Sequence, residues 1–216
     1  MKVADSKTLA RIYSSAEELF SHQGFHGVSL RQLTDQAGVN LGAINYHFGD
    51  KESLYRAVIK RQLQPINQMR LQHLKESELA AGNASVALAV IMEIYARPLF
   101  SLYGENETGG HHAARLLGRC LAEPLPFTET LIAAEFHQVT ARFAQAIRRH
   151  VPRLSPDDFL WRLNFVVGAM QHTLATMYRM TELTRGICPS HDHENALRRF
   201  IEFSVATFSA PAASRA

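Results

Sequence analysis

Apolar residues recur at helical intervals along the whole of this 216-residue chain. Leu9, Ile12, Ala16 and Leu19 are spaced three or four positions apart, and Gly24 then supplies a helix stop. No segment shows the alternation typical of a strand, and no internal repeat is visible. The sequence therefore predicts an all-α protein of about nine helices. The five longer helices are expected at residues 84–104, 110–122, 126–150, 156–181 and 194–209.

Residues 28–59 contain two short helical patterns separated by a turn with one glycine. Ser29 and Gln32 form a capping-box pattern that opens one helix, and Gly38 ends it. Asn40 can cap the next helix, which runs to about His47. Two helices joined in this way are a helix-turn-helix, whose second helix lies in the DNA major groove.

The second helix of this motif has an apolar side and an outer side. Ile44 and Phe48, four residues apart, can face the protein core. An outward asparagine can pair with adenine, a small apolar side chain can contact a thymine methyl, and tyrosine or histidine can donate to phosphates. Alternatively, the Tyr-His-Phe sequence only packs aromatic rings at the end of a short helix and has no role in DNA binding. The candidate DNA-binding residues here are Asn40, Leu41, Ala43, Asn45, Tyr46 and His47.

The charge distribution allows two interpretations. A formal net charge of +3 is too small to indicate nucleic-acid binding by itself. Residues 50–75 nevertheless carry six basic side chains and only two acidic ones. This clustering fits a polyanionic partner, and it fits equally a solvated helix face.

Residues 7–61 resemble the DNA-binding domain of the TetR/AcrR family of transcriptional regulators. The resemblance is carried by "AEELFSHQGFHGVSLRQLTDQAGVNLGAINYHFGDKESLY", and it covers about a quarter of the chain. It implies that the first helix braces the motif, that Lys51 contacts phosphate, and that Ser29 and Arg31 meet the DNA backbone. The sequence departs from the family at Asn45, where aromatic residues or leucine are common, and at Asn40, often serine.

The resemblance also implies a division of the chain. A DNA-binding domain is expected at residues 5–65, an effector-binding and dimerisation domain at 66–210, and a disordered tail at 211–216. The protein would then be a ligand-responsive repressor that binds a palindromic operator as a homodimer. Apolar stripes on the last two long helices are candidates for the dimer interface, although ordinary core is an alternative for many of them. They are Phe159, Leu163, Val166, Met170, Leu174, Met177, Leu197, Ile201 and Phe208.

Helices five to eight carry more aromatic and aliphatic residues than one dimer face needs. We therefore expect an apolar small-molecule effector, fatty-acyl or aromatic, and no other cofactor. The candidate pocket residues are Tyr95, Phe100, Arg115, Leu117, Arg119, Leu121, Phe136, Val139, Phe143, Phe165 and Gln171.

Other functional classes find less support in the sequence. Cys188, His191 and His193 allow an alternative, a metal- or thiol-responsive DNA-binding sensor, but they lack the repeated spacing of a structural zinc site. No G-x-S-x-G, H-E-x-x-H or P-loop pattern occurs, so the sequence does not indicate an enzyme. A helical adaptor that binds only proteins would not need the outward residues of the motif. Two widely spaced cysteines and the lack of a secretory signal or long apolar run predict a cytoplasmic protein.

Overall fold

A computed structural model gives the fold of residues 3–103, 111–122 and 125–211. These residues form ten α-helices and short 3-10 turns, and they include no β-strand, so the predicted all-α fold is confirmed. The predicted breaks at Gly104 and Pro124, and residues 212–216 of the predicted tail, lie outside this described part. The helices are α1 (Val3–Gly27), α2 (Leu30–Ala37), α3 (Leu41–Phe48), α4 (Lys51–Ala81), α5 (Leu88–Phe100), α6 (His111–Ala122), α7 (Pro126–Arg148), α8 (Pro156–Thr176), α9 (Met180–Leu183) and α10 (His193–Ser209).

Side-chain caps define the ends of the short N-terminal helices. The amide of Gln32 donates to Oγ of Ser29 at 3.2 Å, and the amide of Ser29 donates to Oε1 of Gln32 at 2.8 Å, which is the expected capping box. Gly38 ends α2 with φ 61°, a left-handed conformation that favours glycine. Asn40 and Asp50 open α3 and α4, each with a side-chain oxygen that accepts a backbone N–H three residues later, at 2.8 and 2.7 Å.

The long helix α4 joins the two halves of the molecule. It continues through Pro65, although proline removes a backbone N–H from the helix interior. The predicted domain boundary at residues 65/66 therefore falls inside one continuous helix. Leu54, Val58 and Leu63 are buried, as the helical pattern predicts.

Two predicted helices have different ends in the structure. α5 begins at Leu88 rather than at residue 84, because residues after Gly82 reverse the chain between α4 and α5. The helix predicted at 156–181 stops at Thr176, and a 3-10 turn at Met177–Arg179 leads into the four-residue α9. Apolar periodicity marks the body of a helix but not its last turn, so such ends are missed.

Helix α6 lies inside the C-terminal half and packs against α1, α4 and α8. Its contact with α8 is close at Gly118, where an added Cβ would lie 2.6 Å from Cα of Ala175. On the far side, α10 packs against α5 and α8, and α7 packs against α4 and α5. Across the described segments, no helix has the length and apolar character needed to cross a membrane.

Candidate nucleic-acid interface

Helix α3 separates an anchoring side from an exposed side. Ile44 is fully buried, and the ring of Phe48 packs edge-on against Tyr13 of α1 at 5.5 Å between centroids. In contrast, Tyr46 is 80% exposed and Leu41 is 49% exposed. An exposed tyrosine and leucine on a two-turn helix form a surface that is available to a partner.

The residues predicted to contact DNA from α3 differ in their exposure and in the contacts that they already make. Asn45 is exposed and lies on the same outer side as Tyr46. Asn40 uses its side-chain oxygen to cap α3 through the Ala43 amide, which leaves its amide nitrogen for a base or phosphate. Ala43 is half-buried against the core, so only part of its side chain is available for the predicted contact. His47 is also half-buried, with its ring between those of its two neighbours.

The two predicted backbone contacts on α2 are exposed. Ser29 already accepts the Gln32 amide as the helix cap. Its position at the helix N-terminus also places exposed backbone N–H groups where an anion is favoured. Arg31, two residues later, is exposed as well. Both residues are therefore placed where a phosphate backbone could reach them.

Lys51 has a structural role that the sequence does not reveal. Its Nζ donates to the carbonyls of Phe25 at 3.0 Å and Val28 at 2.9 Å, and it lies 4.3 Å from the Phe25 ring centroid. Partial burial lowers the pKa of the Lys51 ammonium. Two of its three N–H groups thus hold the segment between α1 and α2, and one remains for the predicted phosphate contact.

Helix α1 braces the motif through several side chains. Arg11 donates to the carbonyl of Gly38 at 3.3 Å, in the turn between α2 and α3. The guanidinium of Arg61 on α4 lies 4.4 Å from the ring centroid of Tyr13, which also contacts Phe48. Arg61, Tyr13 and Phe48 thus connect α4 to the exposed helix α3 through α1. No local sequence signal identifies this connection, since the residues are far apart in the chain.

The predicted pocket residues do not line a common cavity. Tyr95, Phe100, Leu117, Val139 and Phe143 are closely packed in the core, with at most 6% of any of them exposed.

The other predicted pocket residues are also engaged or misplaced. Arg115 stacks on the Tyr178 ring at 4.2 Å, and Arg119 donates to the His22 carbonyl at 3.1 Å. Phe165 is 56% exposed on the outside of α8, so its assignment to a pocket is wrong. The remaining three, Leu121, Phe136 and Gln171, are half-buried.

A cleft of about 520 Å³ lies elsewhere, between α4 and α5. Its walls are mainly apolar, and none of the predicted pocket residues lines it. In this structure, side chains from distant helices fill the space between α5, α7 and α8 where the pocket is predicted. The cleft is lined by Gln62, Pro65, Ile66, Met69, His73, Val90, Glu93, Ile94, Arg97, Pro98, Ser101 and Leu102.

The predicted dimer residues also need correction. Side chains buried inside one chain cannot contact a second chain without unfolding, so seven of the nine predicted dimer residues belong to the core. Leu163 and Ile201 are half-buried. The buried members are Phe159, Val166, Met170, Leu174, Met177, Leu197 and Phe208.

The opposite side of α8 carries an exposed apolar surface. Leu160, Trp161 and Phe165 are 61%, 55% and 56% exposed, and the rings of Trp161 and Phe165 lie 5.8 Å apart. Phe203 of α10, which packs beside α8, is 46% exposed. We call these four residues the α8–α10 face. Large exposed apolar groups of this kind mark contact surfaces.

The metal-sensor alternative finds no support in the structure. Cys188 is an exposed free cysteine, and Nδ1 of His193 lies 3.2 Å from the backbone carbonyl of His191. No three His, Cys, Asp or Glu side chains of residues 3–103, 111–122 and 125–211 are grouped to hold a metal ion.

A capped helix-turn-helix that exposes its second helix, on an all-α body, defines a DNA-binding transcriptional regulator. Comparison with known proteins gives the family. The sequence model described as "Bacterial regulatory proteins, tetR family" matches residues 12–58, and "Tetracyclin repressor-like, C-terminal domain" matches residues 93–207. The chain belongs to the TetR family, and it is a DNA-binding transcription factor rather than an enzyme.

Several curated relatives match parts of the chain. The regulatory protein RaaS of Mycobacterium tuberculosis is 33% identical over 116 residues, which are 54% of this chain and 53% of RaaS. The regulator RutR of Escherichia coli is 44% identical over 52 residues, or 24% of each protein. The matched residues thus span about half the length of RaaS and 24% of the length of RutR.

Solved structures match nearly the whole fold at low identity. FadR from Bacillus halodurans has a TM-score of 0.68 and 12% identity, with 94% of this chain and 95% of that chain covered. FadR from Bacillus subtilis, solved in complex with stearoyl-CoA, has a TM-score of 0.66 and 16% identity, with 92% and 98% covered. At such identities the likeness shows the shared fold.

Proposed function

We propose that this protein is a ligand-responsive repressor that binds a palindromic operator as a homodimer. The observation that carries the proposal is the exposed outer side of α3, which presents Leu41, Asn45 and Tyr46 on a helix anchored by Ile44. One such helix contacts only a few base pairs. Two copies related by a two-fold axis would double the contacts and fix the spacing of the half-sites.

The side chains of α3 and its neighbours support different roles in DNA binding. Asn45 is suited to bidentate pairing with an adenine edge, and Leu41 to apolar contact with a thymine methyl. Tyr46, Ser29 and Arg31 are suited to phosphates, as is the remaining N–H of Lys51. Asn45 would therefore determine sequence preference, whereas the phosphate contacts would determine general affinity and its dependence on salt.

The α8–α10 face supports the dimer. Leu160, Trp161, Phe165 and Phe203 are large apolar side chains that remain about half exposed in one chain, and exposed apolar groups of this kind mark contact surfaces. A two-fold interface uses the same patch on both chains, so one exposed face on each chain is sufficient. Trp and Phe at the centre of such a patch are common binding hot spots.

An effector would act through α4, because this helix begins directly after α3 and extends into the C-terminal half. The fold shared with FadR of B. subtilis, which was solved with stearoyl-CoA, supports an apolar effector. A ligand that favours an altered α4 position would change the distance between the two α3 helices. Typical coupling energies of about 1–3 kcal/mol correspond to roughly 5–150-fold weaker operator binding.

Selection from random DNA duplexes tests the central claim. Purified protein should enrich sequences with an inverted repeat whose half-sites lie about one helical turn apart, or a multiple of it. The enriched duplex should bind much more tightly than a scrambled one, and both affinities should fall steeply with salt. Equal binding to the enriched and the scrambled duplex at every salt concentration would refute sequence-specific binding.

A further inference from the structure

Arg70 of α4 is a fully buried cation whose partners are all neutral. Its Nε donates to the carbonyl of Tyr95 on α5 at 2.6 Å, and Nη1 donates to Oδ1 of Asn67 at 3.3 Å. Its Nη2 lies 4.0 Å from the sulfur of Met170, and the guanidinium lies 4.3 Å from the Tyr95 ring centroid. Of the residues that the structure describes, no carboxylate pairs with Arg70.

Such an arrangement leaves a positive charge incompletely compensated. Burial lowers the pKa of Arg70 to about 10, because removal from water disfavours the charged form. Buried charges in proteins are normally paired with an opposite charge. The hydrogen bond to the Tyr95 carbonyl connects α4 to α5 and uses one of the five N–H donors of the guanidinium. The edge formed by Nη1 and Nη2, which suits a carboxylate, has an amide oxygen and a thioether instead.

The α4–α5 cleft lies next to this charge. Ile66, one helical turn before Arg70, lines the cleft from α4, and Ile94, next to Tyr95, lines it from α5. Arg70 contacts Tyr95, so the two helices that form the cleft also hold its guanidinium. The neighbouring wall residues are mainly apolar, and the volume of about 520 Å³ falls within the range of small-molecule sites.

The ionic groups at the rim of the cleft are already paired. Arg97 contacts Glu93 at 2.9 Å and Glu194 of α10 at 2.8 Å, so its charge is neutralised by two carboxylates. Arg70, in contrast, has only neutral hydrogen-bond partners among the described residues. Met170, which now lies against Nη2, is a flexible side chain that can move aside at low cost.

We propose that the α4–α5 cleft binds an apolar molecule with one carboxylate, and that this carboxylate pairs with Arg70. The proposal rests on the proposed function, since it names the chemical class of the effector. The apolar part would occupy the cleft between Ile66, Met69 and Ile94. The carboxylate would pass between α4 and α5 and accept two hydrogen bonds from the guanidinium.

Titration calorimetry with two matched probes tests this directly. Decanoate and 1-decanol have the same alkyl chain and differ in the carboxylate, and both are used below their aggregation limits. We expect one decanoate per chain, bound at least about tenfold more tightly than 1-decanol, because a charge-assisted pair forms only with decanoate. Equal affinity of the two probes, or no binding of either, would overturn the proposal.

Variants locate the site and the charge. Val90→Trp fills the cleft and should weaken both probes at least about tenfold, whereas Ala141→Trp, in a separate groove between α4 and α7, should leave both unchanged. Arg70→Met keeps a long apolar side chain and should abolish the preference for decanoate, whereas Arg153→Met, at an exposed arginine, should retain it.

Circular dichroism confirms that each variant is folded before its titration is interpreted. If Arg70→Met does not fold, the probe comparison on the natural protein and the Val90→Trp result decide the matter. A preference for decanoate that persists in folded Arg70→Met, or unchanged binding to folded Val90→Trp, contradicts the proposal. Operator affinity of the ligand-free protein is measured separately, so failure of the cleft proposal is distinguishable from failure of DNA binding.

Discussion

If the proposed dimer forms through the α8–α10 face, Trp161→Ala is expected to weaken it strongly without unfolding the chain. In one chain 55% of Trp161 is exposed, on the α8–α10 face beside Phe165. A tryptophan can bury roughly 250 Å², so about 140 Å² of this side chain remains to be covered. At about 25 cal/mol per Å² this area corresponds to about 3.5 kcal/mol per chain.

The expected effect on the dimer follows from this area. Alanine retains part of the contact and neighbouring side chains relax, so about 2 kcal/mol per chain is a reasonable loss. The two-fold axis makes the loss occur twice, which gives about 4 kcal/mol per dimer. The dimer dissociation constant should then rise roughly 1000-fold. Sedimentation equilibrium over a range of protein concentrations measures it, and circular dichroism shows whether the chain remains folded.

Leu79→Ala is the matched control for this experiment. Leu79 is 72% exposed near the end of α4, so its truncation removes a comparable exposed apolar side chain away from the α8–α10 face. It should leave the dimer constant within a few-fold of the natural value. The reasoning fails if Trp161→Ala remains as tightly dimeric as the natural protein, or if Leu79→Ala dissociates equally.

Other substitutions separate the remaining roles. Leu174→Glu places a charge at a fully buried position, so thermal melts should show loss of several kcal/mol and unfolding rather than a folded monomer. Asn45→Ala should cost roughly 1–3 kcal/mol at selected base pairs in competition gel shifts, with little effect on scrambled DNA; uniform weakening would contradict a reading role. Lys51→Met leaves the Phe25 and Val28 carbonyls without their donor, so urea unfolding should show about 1–3 kcal/mol of lost stability before any DNA is added. An unchanged unfolding midpoint would show that Lys51 does not stabilise the fold and would leave only its predicted contact with phosphate.

The helix-turn-helix could be predicted from sequence because local contacts form it. The Ser29 capping box, the left-handed Gly38 and the Asn40 cap each act over three or four residues, so the residue types identify the geometry. The role of Lys51 could not be predicted in this way. Its acceptors lie 26 and 23 residues earlier in the chain, and only the tertiary fold brings them together.

The exposed α8–α10 face was missed for a different physical reason. Helix α8 is apolar on two sides, with Val166, Met170 and Leu174 inside and Trp161 and Phe165 outside. Helical periodicity identifies both stripes but not which of them faces the core of the same chain. The buried charge of Arg70 is likewise invisible in the sequence, where it is one of several basic residues on α4.

Helix α4 connects the proposed effector cleft with the DNA-binding motif through physical contacts. Gln62 lines the cleft and also donates a hydrogen bond to the carboxyl group of Glu17 on α1. Burial raises the pKa of the Glu17 carboxyl. One residue earlier, Arg61 stacks on Tyr13, and Tyr13 contacts Phe48 at the end of α3. A ligand that separates α4 from α5 would break the bond between Arg70 and the Tyr95 carbonyl and free α4 to shift.

Any such shift would reach α3 both directly, because α4 packs against α3, and through α1, because Arg61 and Gln62 both contact α1. Substitution of Arg61 distinguishes transmission through its contact with α1 from simple rigid-body motion of α4. Loss of the Arg61 stack weakens a cation–π contact of about 0.5–1 kcal/mol at an exposed site, too little to unfold the domain. It is nevertheless a sizeable part of a coupling energy of about 1–3 kcal/mol. The response to ligand should therefore depend on Arg61 more strongly than the stability of the fold does.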